Sequence, residues 1–176
     1  MHQNVKEILY SMEEIQKRSQ ELGAEISKDY EGKSPIVLGL LKGSVPFMAE
    51  LTKYITVDVS FAFMHVSSYV GTRSGQLHIK HDIDQDVKGK DIIIVEDIID
   101  TGNTLYYVKH MLLDRGANSV RIVTLLDKTE CRKIDIQADY VGFPIPNAFV
   151  VGFGLDFDEL YRNLPYIGIL KEECYM

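Results

Sequence analysis

The sequence predicts an α/β fold with a central, mainly parallel sheet flanked by helices. Three observations carry that prediction. The runs Ile36–Leu41, Asp91–Val95 and Val120–Leu126 are apolar at nearly every position instead of alternating, the pattern of strands buried on both faces. Helical patterns alternate with these runs, so crossovers join the strands. Polar or glycine-bearing segments at Lys42, Glu96–Thr104 and Asp127–Lys128 follow the three strands directly. Because ligands of open α/β sheets bind beyond the carboxyl ends of the strands, these segments are expected to converge on one site.

Ser11-Met12-Glu13-Glu14 reads as a capping box, with Ser11 as N-cap and Glu14 as its reciprocal partner. A helix is expected from there to about Tyr30, with Ile15, Leu22 and Ile26 on its buried stripe and Gly32 and Pro35 marking its end. The strand Ile36–Leu41 stops at Lys42-Gly43-Ser44; Val45 to Tyr54 reads as helix and Val57 to Val66 as strand. Ser67 to Asp86 is polar and shows no packing pattern, so a long loop is expected, of the kind that serves as a lid or binding loop. After Asp91–Val95 come a short loop and a helix from about Leu105 to Arg115, closed by Gly116. Val120–Leu126, Tyr140–Phe143 and Phe149–Val151 supply the later strands.

No repeat, linker or low-complexity tract divides the 176 residues, so a single domain over 1–176 is expected, large enough to bury its own core. Apolar residues make up 45% and charged residues 26%, the balance of a globular protein. A net charge of -7 disfavours nucleic acid as the main partner, since phosphate backbones reward a basic face. A small phosphorylated ligand remains compatible, because it needs only a few N–H groups and one or two cations. The two cysteines, Cys131 and Cys174, have neither metal-ligand spacing nor a disulfide framework, which fits a reduced, cytoplasmic setting. No apolar run reaches membrane length, and Met1–Lys6 lacks a signal-peptide core.

The chemistry concentrates after Val95. Glu96 and Asp97 end an apolar strand, where neighbouring side chains point to opposite sides. Asp100-Thr101-Gly102-Asn103-Thr104 then leads into a helix. Glycine permits a tight turn, threonine hydroxyls donate, and the free N–H groups of a helix start attract an anion. Vicinal ribose hydroxyls and Mg²⁺ both call for oxygen acceptors, which the paired acids supply. A sugar phosphate held by N–H groups at one end and carboxylates at the other satisfies both halves. The bland alternative is a solvated turn with Asp100 as helix cap. The absence of a Walker loop and of G-x-G-x-x-G weighs against triphosphatase and dinucleotide readings.

Val95-Glu96-Asp97-Ile98-Ile99-Asp100-Thr101-Gly102 resembles the phosphoribosyl pyrophosphate (PRPP) motif of type I phosphoribosyltransferases, in the form found in the hypoxanthine-guanine enzymes. The likeness continues through Leu41-Lys42-Gly43-Ser44, Ser68-Tyr69, Lys128, Phe149–Gly152, Leu155-Asp156 and Arg162. It implies the type I phosphoribosyltransferase fold, with a core of about 34–145 and a small hood from about 1–12 and 146–176. It also implies transfer of ribose 5-phosphate from PRPP to N9 of a 6-oxopurine, giving IMP or GMP and pyrophosphate.

By this resemblance Glu96 and Asp97 bind the ribose, directly or through Mg²⁺; Asp100–Thr104 hold the 5′-phosphate; and Asp100 is the general base. Leu41, Lys42, Gly43 and Ser44, with a cis peptide between the first two, bind pyrophosphate together with Arg162 and Arg132. Lys128 reads the exocyclic O6, Phe149 stacks on the purine, Val150 contacts the base edge, Asp156 belongs to the purine pocket and ligates Mg²⁺ from the pyrophosphate side, and Ser68-Tyr69 form a lid. Some relatives carry Lys where this chain has Asn103, which leaves phosphate binding more dependent on backbone N–H groups. A homodimer or homotetramer is implied. The rivals are a PRPP-binding RNA regulator of pyrimidine genes with uracil phosphoribosyltransferase activity, and an adenine or orotate transferase. The acidic balance and Lys128 with Phe149 argue against the first, and Lys128 with Phe149–Asp156 against the second.

Overall fold

The computed structural model describes residues 1–68 and 77–175. Helix α1 (Met12–Asp29) starts from the expected capping box: Glu14 N–H donates to Ser11 Oγ at 3.3 Å, and Ser11 N–H donates to Glu14 Oε2 at 2.8 Å. Ile15, Leu22 and Ile26 are fully buried on its inner stripe. Strand β1 (Val5–Tyr10) precedes it, and β2 (Ile36–Leu40), α2 (Ser44–Leu51), β3 (Ser60–Ser68), β4 (Leu77–His81) and β5 (Asp91–Ile99) follow. Helix α3 (Asn103–Asp114), β6 (Ser119–Asp127), β7 (Tyr140–Pro144), β8 (Val150–Val151) and β9 (Ile167–Leu170) complete the order.

Six strands form one sheet in the order β4-β3-β2-β5-β6-β7, all parallel except β4 at the edge. Its central strands alternate their burial between two cores. Val37, Ile93, Val95 and Val123 pack with Ile15, Leu22, Ile26, Phe47 and Leu51 of α1 and α2. Leu38, Ile92, Ile94 and Ile122 pack on the other face with Leu105, Val108 and Leu112 of α3. Each such side chain contributes about 1.5–3 kcal/mol of burial, which explains why these strands are apolar at every position. The fold is therefore the α/β, mostly parallel arrangement the apolar runs predict.

Four elements differ from expectation, in three ways. The stretch read as loop over Ser67–Asp86 contains β4, which pairs antiparallel with β3 from Ser68–Leu77 to His65–His81. Its sequence, Leu-His-Ile-Lys-His, buries little because it lies at the sheet edge, so no apolar run announces it. Second, β5 continues four residues past Val95, because β6 pairs with it as far as Ile99–Asp127; Glu96 and Asp97 thus sit within the strand. Third, β1 and β9 were not anticipated as strands. They pair antiparallel, and with β8 they make a three-stranded sheet from residues near both chain ends. Register shifts in β1 between Val5 and Glu7 and between Ile8 and Tyr10 break its alternation, so the period-2 signal is lost. Among the described residues no helix is long and apolar enough to cross a membrane.

Candidate active site

Two hollows adjoin at the carboxyl end of β5. One is lined by Glu96 and the loop Ile98–Leu105. The other is lined by Asp97, Ile98, Asp100, Lys128, Phe149, Val150, Leu155 and Asp156. Glu96 faces the first and Asp97 the second, as strand alternation requires, while Ile98 and Asp100 border both. The hollows lie beyond the ends of β5 and β6, and β8 closes the second.

The first hollow is shaped by the start of α3. Gly102 is the N-cap residue with φ +85°, a left-handed conformation that favours glycine. The N-cap residue brings no capping side chain, and Thr101 Oγ1 accepts from Asn103 N–H at 3.5 Å, so the Asp100 carboxylate is not consumed as a cap. A Cβ at Gly102 would also lie 2.5 Å from Ile136 Cγ2 and 3.1 Å from Arg132 Cδ, so the loop rests directly on the segment beneath it.

The paired acids are half-buried at the floor of the two hollows. Glu96 Oε2 is buried without a hydrogen-bond partner, and burial, with the Asp97 charge beside it, pushes its carboxyl well above the usual range. Burial pushes Asp97 up to about 6, against the Ile98 N–H that donates at 2.8 Å and the nearby positive Arg162. Hard carboxylate oxygens of this kind, one of them unpartnered, fit a divalent cation such as Mg²⁺. Among the described residues no group of three metal-type side chains is gathered, so Glu96, Asp97 and Asp156 do not close a cage by themselves. That suits Mg²⁺, which takes one or two carboxylates and completes its shell from ligand phosphates and water.

On the far side of Asp97 lies the loop after β2. The Leu41–Lys42 peptide is cis, as the resemblance implies. Gly43 approaches Asp97 so closely that any Cβ there would fall inside its carboxylate. Ser44 is fully buried, and its Oγ has no partner among the described residues. Lys42 Nζ meets Glu159 Oε2 at 2.8 Å, and Lys42 holds the Glu159 carboxyl below the usual range. Arg162 meets Asp156 at 2.9 Å and Glu159 at 3.5 Å, and donates to Gly154 O at 2.7 Å. Glu159 thus lies between two cations, at a backbone φ of +63°.

Lys128, Phe149, Val150 and Asp156, expected at the purine, line one hollow with Asp97 and Asp100. Phe149 is 38% exposed; Tyr175 stacks on it at 4.8 Å and Phe157 meets it edge-on at 5.5 Å. Arg132, expected on the pyrophosphate side, is placed elsewhere. Its guanidinium is committed to the Asp127 carboxylate and to the Asp100 carbonyl oxygen, and its stem runs under Gly102. Ser68 is the last residue of β3, whereas Tyr69 of the expected lid lies outside the described residues.

Sequence reasoning singled out the segments that hold Ile98, Asp127 and Leu155 without giving these residues a role, and it did not reach Glu159. Nothing in the sequence singles out Glu159, whose position depends on the left-handed turn around it.

Paired acids on a central strand, a glycine-turned loop into a helix and a lysine- and phenylalanine-lined hollow form the arrangement expected of a transferase acting on sugar phosphates. The family model of the phosphoribosyl transferase domain matches residues 6–158, and the chain belongs to that family. It is 56% identical to the hypoxanthine-guanine phosphoribosyltransferase of Streptococcus mutans, over 99% of this chain and 98% of that one. It also matches the crystal structure of a hypoxanthine phosphoribosyltransferase from Staphylococcus aureus, with TM-score 0.97, 52% identity, and coverage of 100% of this chain and 97% of that one. A hypoxanthine phosphoribosyl transferase of Trypanosoma cruzi, studied for the role of its C-terminal region in oligomeric state and enzymatic activity, matches with TM-score 0.95 and 40% identity over 99% of this chain and 96% of that one.

Proposed function

We propose that this protein is a purine salvage enzyme that transfers ribose 5-phosphate from PRPP to hypoxanthine or guanine, releasing pyrophosphate. The observation that carries this reading is the adjoining pair of hollows: Asp100 borders both, between the phosphate loop and the Lys128–Phe149 pocket. The close hypoxanthine-guanine relatives support it.

In this reading the 5′-phosphate takes the N–H and hydroxyl groups of Asp100–Thr104, where the N-terminus of α3 adds its dipole. Glu96 and Asp97 orient the ribose. The cis loop Leu41–Ser44 and Arg162 take the pyrophosphate. Lys128 donates to the purine O6, a bond that a 6-amino group cannot accept; Phe149 stacks on the ring and Val150 supplies backbone contacts. As the C1–pyrophosphate bond breaks and N9 bonds to C1, the Asp100 carboxylate takes the proton the purine loses at N7. Positioning and a developing positive charge on the ribose, met by the carboxylates below it, account for the larger part of the rate. Glu96, Asp97 and Asp156 are the residues that would hold Mg²⁺, which when bound offsets the charge of the leaving pyrophosphate. Ser68-Tyr69 act as a lid that excludes water, and residues 1–12 and 146–176 form a hood over a core of 34–145. A cytoplasmic homodimer or homotetramer completes the reading.

Formation of nucleotide from PRPP and Mg²⁺ with hypoxanthine, guanine and xanthine in parallel tests it. Product from hypoxanthine or guanine is expected, and no product from either would sink the proposal. Asp100→Asn is expected to lower turnover by about 10²-fold or more while leaving KM for PRPP within a few-fold; unchanged turnover would remove its role as base.

A further inference from the structure

Three consecutive carbonyl oxygens, from the last residue of β5 into the proposed phosphate loop, are taken by donors from one neighbouring segment. Lys128 N–H donates to Ile99 O at 2.9 Å, the Arg132 guanidinium donates to Asp100 O at 2.7 Å, and Lys133 N–H donates to Thr101 O at 3.0 Å. The middle donor is the only side chain of the three, and it is itself anchored. Arg132 Nη2 pairs with the Asp127 carboxylate, and the two side chains are only 15% and 11% exposed. Asp127 closes β6, the strand paired with β5 up to Ile99–Asp127, so the anchor belongs to the rigid sheet and not to a loop. The aliphatic stem of Arg132 lies against Gly102, where a Cβ would approach its Cδ to 3.1 Å.

A trans peptide is planar, and its carbonyl and N–H point in opposite directions. Fixing the oxygens of Ile99, Asp100 and Thr101 against the 128–133 segment therefore aims the N–H groups of Asp100, Thr101 and Gly102 away from it, toward the hollow lined by Ile98–Leu105. Those N–H groups matter more in this chain than in a relative with lysine after the glycine, because Asn103 brings no cation.

We propose that Arg132, clamped by Asp127, is a positioning residue for the 5′-phosphate: it locks the Asp100–Thr101 peptide so that the loop's N–H groups are preorganised for the anion. The inference rests on the phosphate-loop reading above but not on the identity of the purine. Arg132 acts through the backbone and touches no reacting atom. Lysine at 132 keeps the charge, yet a single ammonium lacks the planar fork that spans carboxylate and carbonyl together.

Calorimetric binding of ribose 5-phosphate, a probe that carries only the sugar and the phosphate, provides the test. Arg132→Lys is expected to weaken it by about 10-fold or more, in line with the cost of misplacing a preorganised site by a fraction of an ångström to 1 Å. Asp127→Asn, which loosens the clamp without removing the guanidinium, is expected to weaken it several-fold and serves where Arg132→Lys does not fold. In steady-state kinetics KM for PRPP should rise in both variants while KM for hypoxanthine holds, a split that a merely destabilised enzyme would not give. Ribose 5-phosphate affinity within twofold of wild type in a folded variant would overturn the proposal. If the wild-type protein binds the probe but forms no nucleotide, the purine reading fails instead, and the binding ratios still decide the role of Arg132.

Discussion

Burial holds the Asp97 carboxyl up at about 6, even though the Ile98 N–H and the positive Arg162 both favour its charged form. Its value in an unfolded chain lies near 4, so the folded protein holds an extra proton between about pH 4 and pH 6. Stability of the metal-free, ligand-free protein therefore falls as pH rises through that window and is fully reduced above it, by about 2–3 kcal/mol for a two-unit difference. Asp97→Asn is expected to raise the melting temperature of ligand-free protein at pH 8, to flatten the dependence between pH 4 and 6, and to depress turnover. A variant less stable than wild type at pH 8 would contradict this account. Glu159 gives a second residue-scale expectation. Its carboxylate lies between Lys42 and Arg162, the two cations proposed to receive pyrophosphate. Exposed ion pairs are weak, so removing this competitor in Glu159→Gln should tighten pyrophosphate binding only modestly, by roughly 2–5-fold. Calorimetry with magnesium pyrophosphate checks it; weaker binding would mean that Glu159 helps the anion site.

At the scale of elements, Asp91 ties the start of β5 to the turn before β6. It accepts from Ser119 Oγ at 2.5 Å and Asn118 Nδ2 at 2.7 Å, with Lys33 Nζ 3.8 Å away, and these donors hold its carboxyl below the usual range despite partial burial. A depressed folded-state pKa adds stability above the unfolded value near 4, and that stability is lost as pH falls through the folded one. Asp91→Asn should therefore cost about 1–2 kcal/mol at pH 7 and little near pH 3, measured by urea denaturation at both. An equal loss at the two pH values would show that charge is not what Asp91 contributes. The same scale shows what a sequence can reveal. The two-faced strands β2, β5 and β6 and the capped helix α1 were legible because burial leaves a pattern within a single segment. β1, β4 and β9 were not: register shifts break the alternation of β1, β4 is a polar edge strand, and β9 is only 4 residues long. Within the candidate site, the acids and the glycine-bearing loop could be singled out from chemistry alone. Lys128 and Phe149 needed the family resemblance, and the commitment of Arg132 to Asp127 needed coordinates, because nothing local distinguishes it from any other surface arginine.

For the whole molecule, the two sheets divide the proposed labour. Phosphate and ribose groups sit at the ends of β5 and α3 in the six-stranded sheet, whereas Phe149 and Val150 enter from the three-stranded one. Leu170 N–H donates to Phe149 O at 2.9 Å, and Val150 pairs with Ile169, so β9 holds the purine wall in place. β9 in turn is paired along its other edge with β1, and Val5 of β1 is buried in a small cluster with Val151 and Leu170. Val5, near the start of the chain, thus supports the proposed base wall without lining the site. Val5→Ala removes two methyl groups from that cluster, at a cost of about 1–2 kcal/mol. The loss falls on the contact between β1 and the β8–β9 wall and leaves α3 and its loop alone, because they share no side-chain cluster with Val5. KM for hypoxanthine is therefore expected to rise several-fold while ribose 5-phosphate affinity and KM for PRPP stay within twofold of wild type. This is the reverse of the pattern expected for Arg132→Lys, and measuring both variants under one set of conditions provides the comparison. If Val5→Ala weakened ribose 5-phosphate as much as the purine, the two sheets would be acting as one unit and the proposed division between them would be wrong.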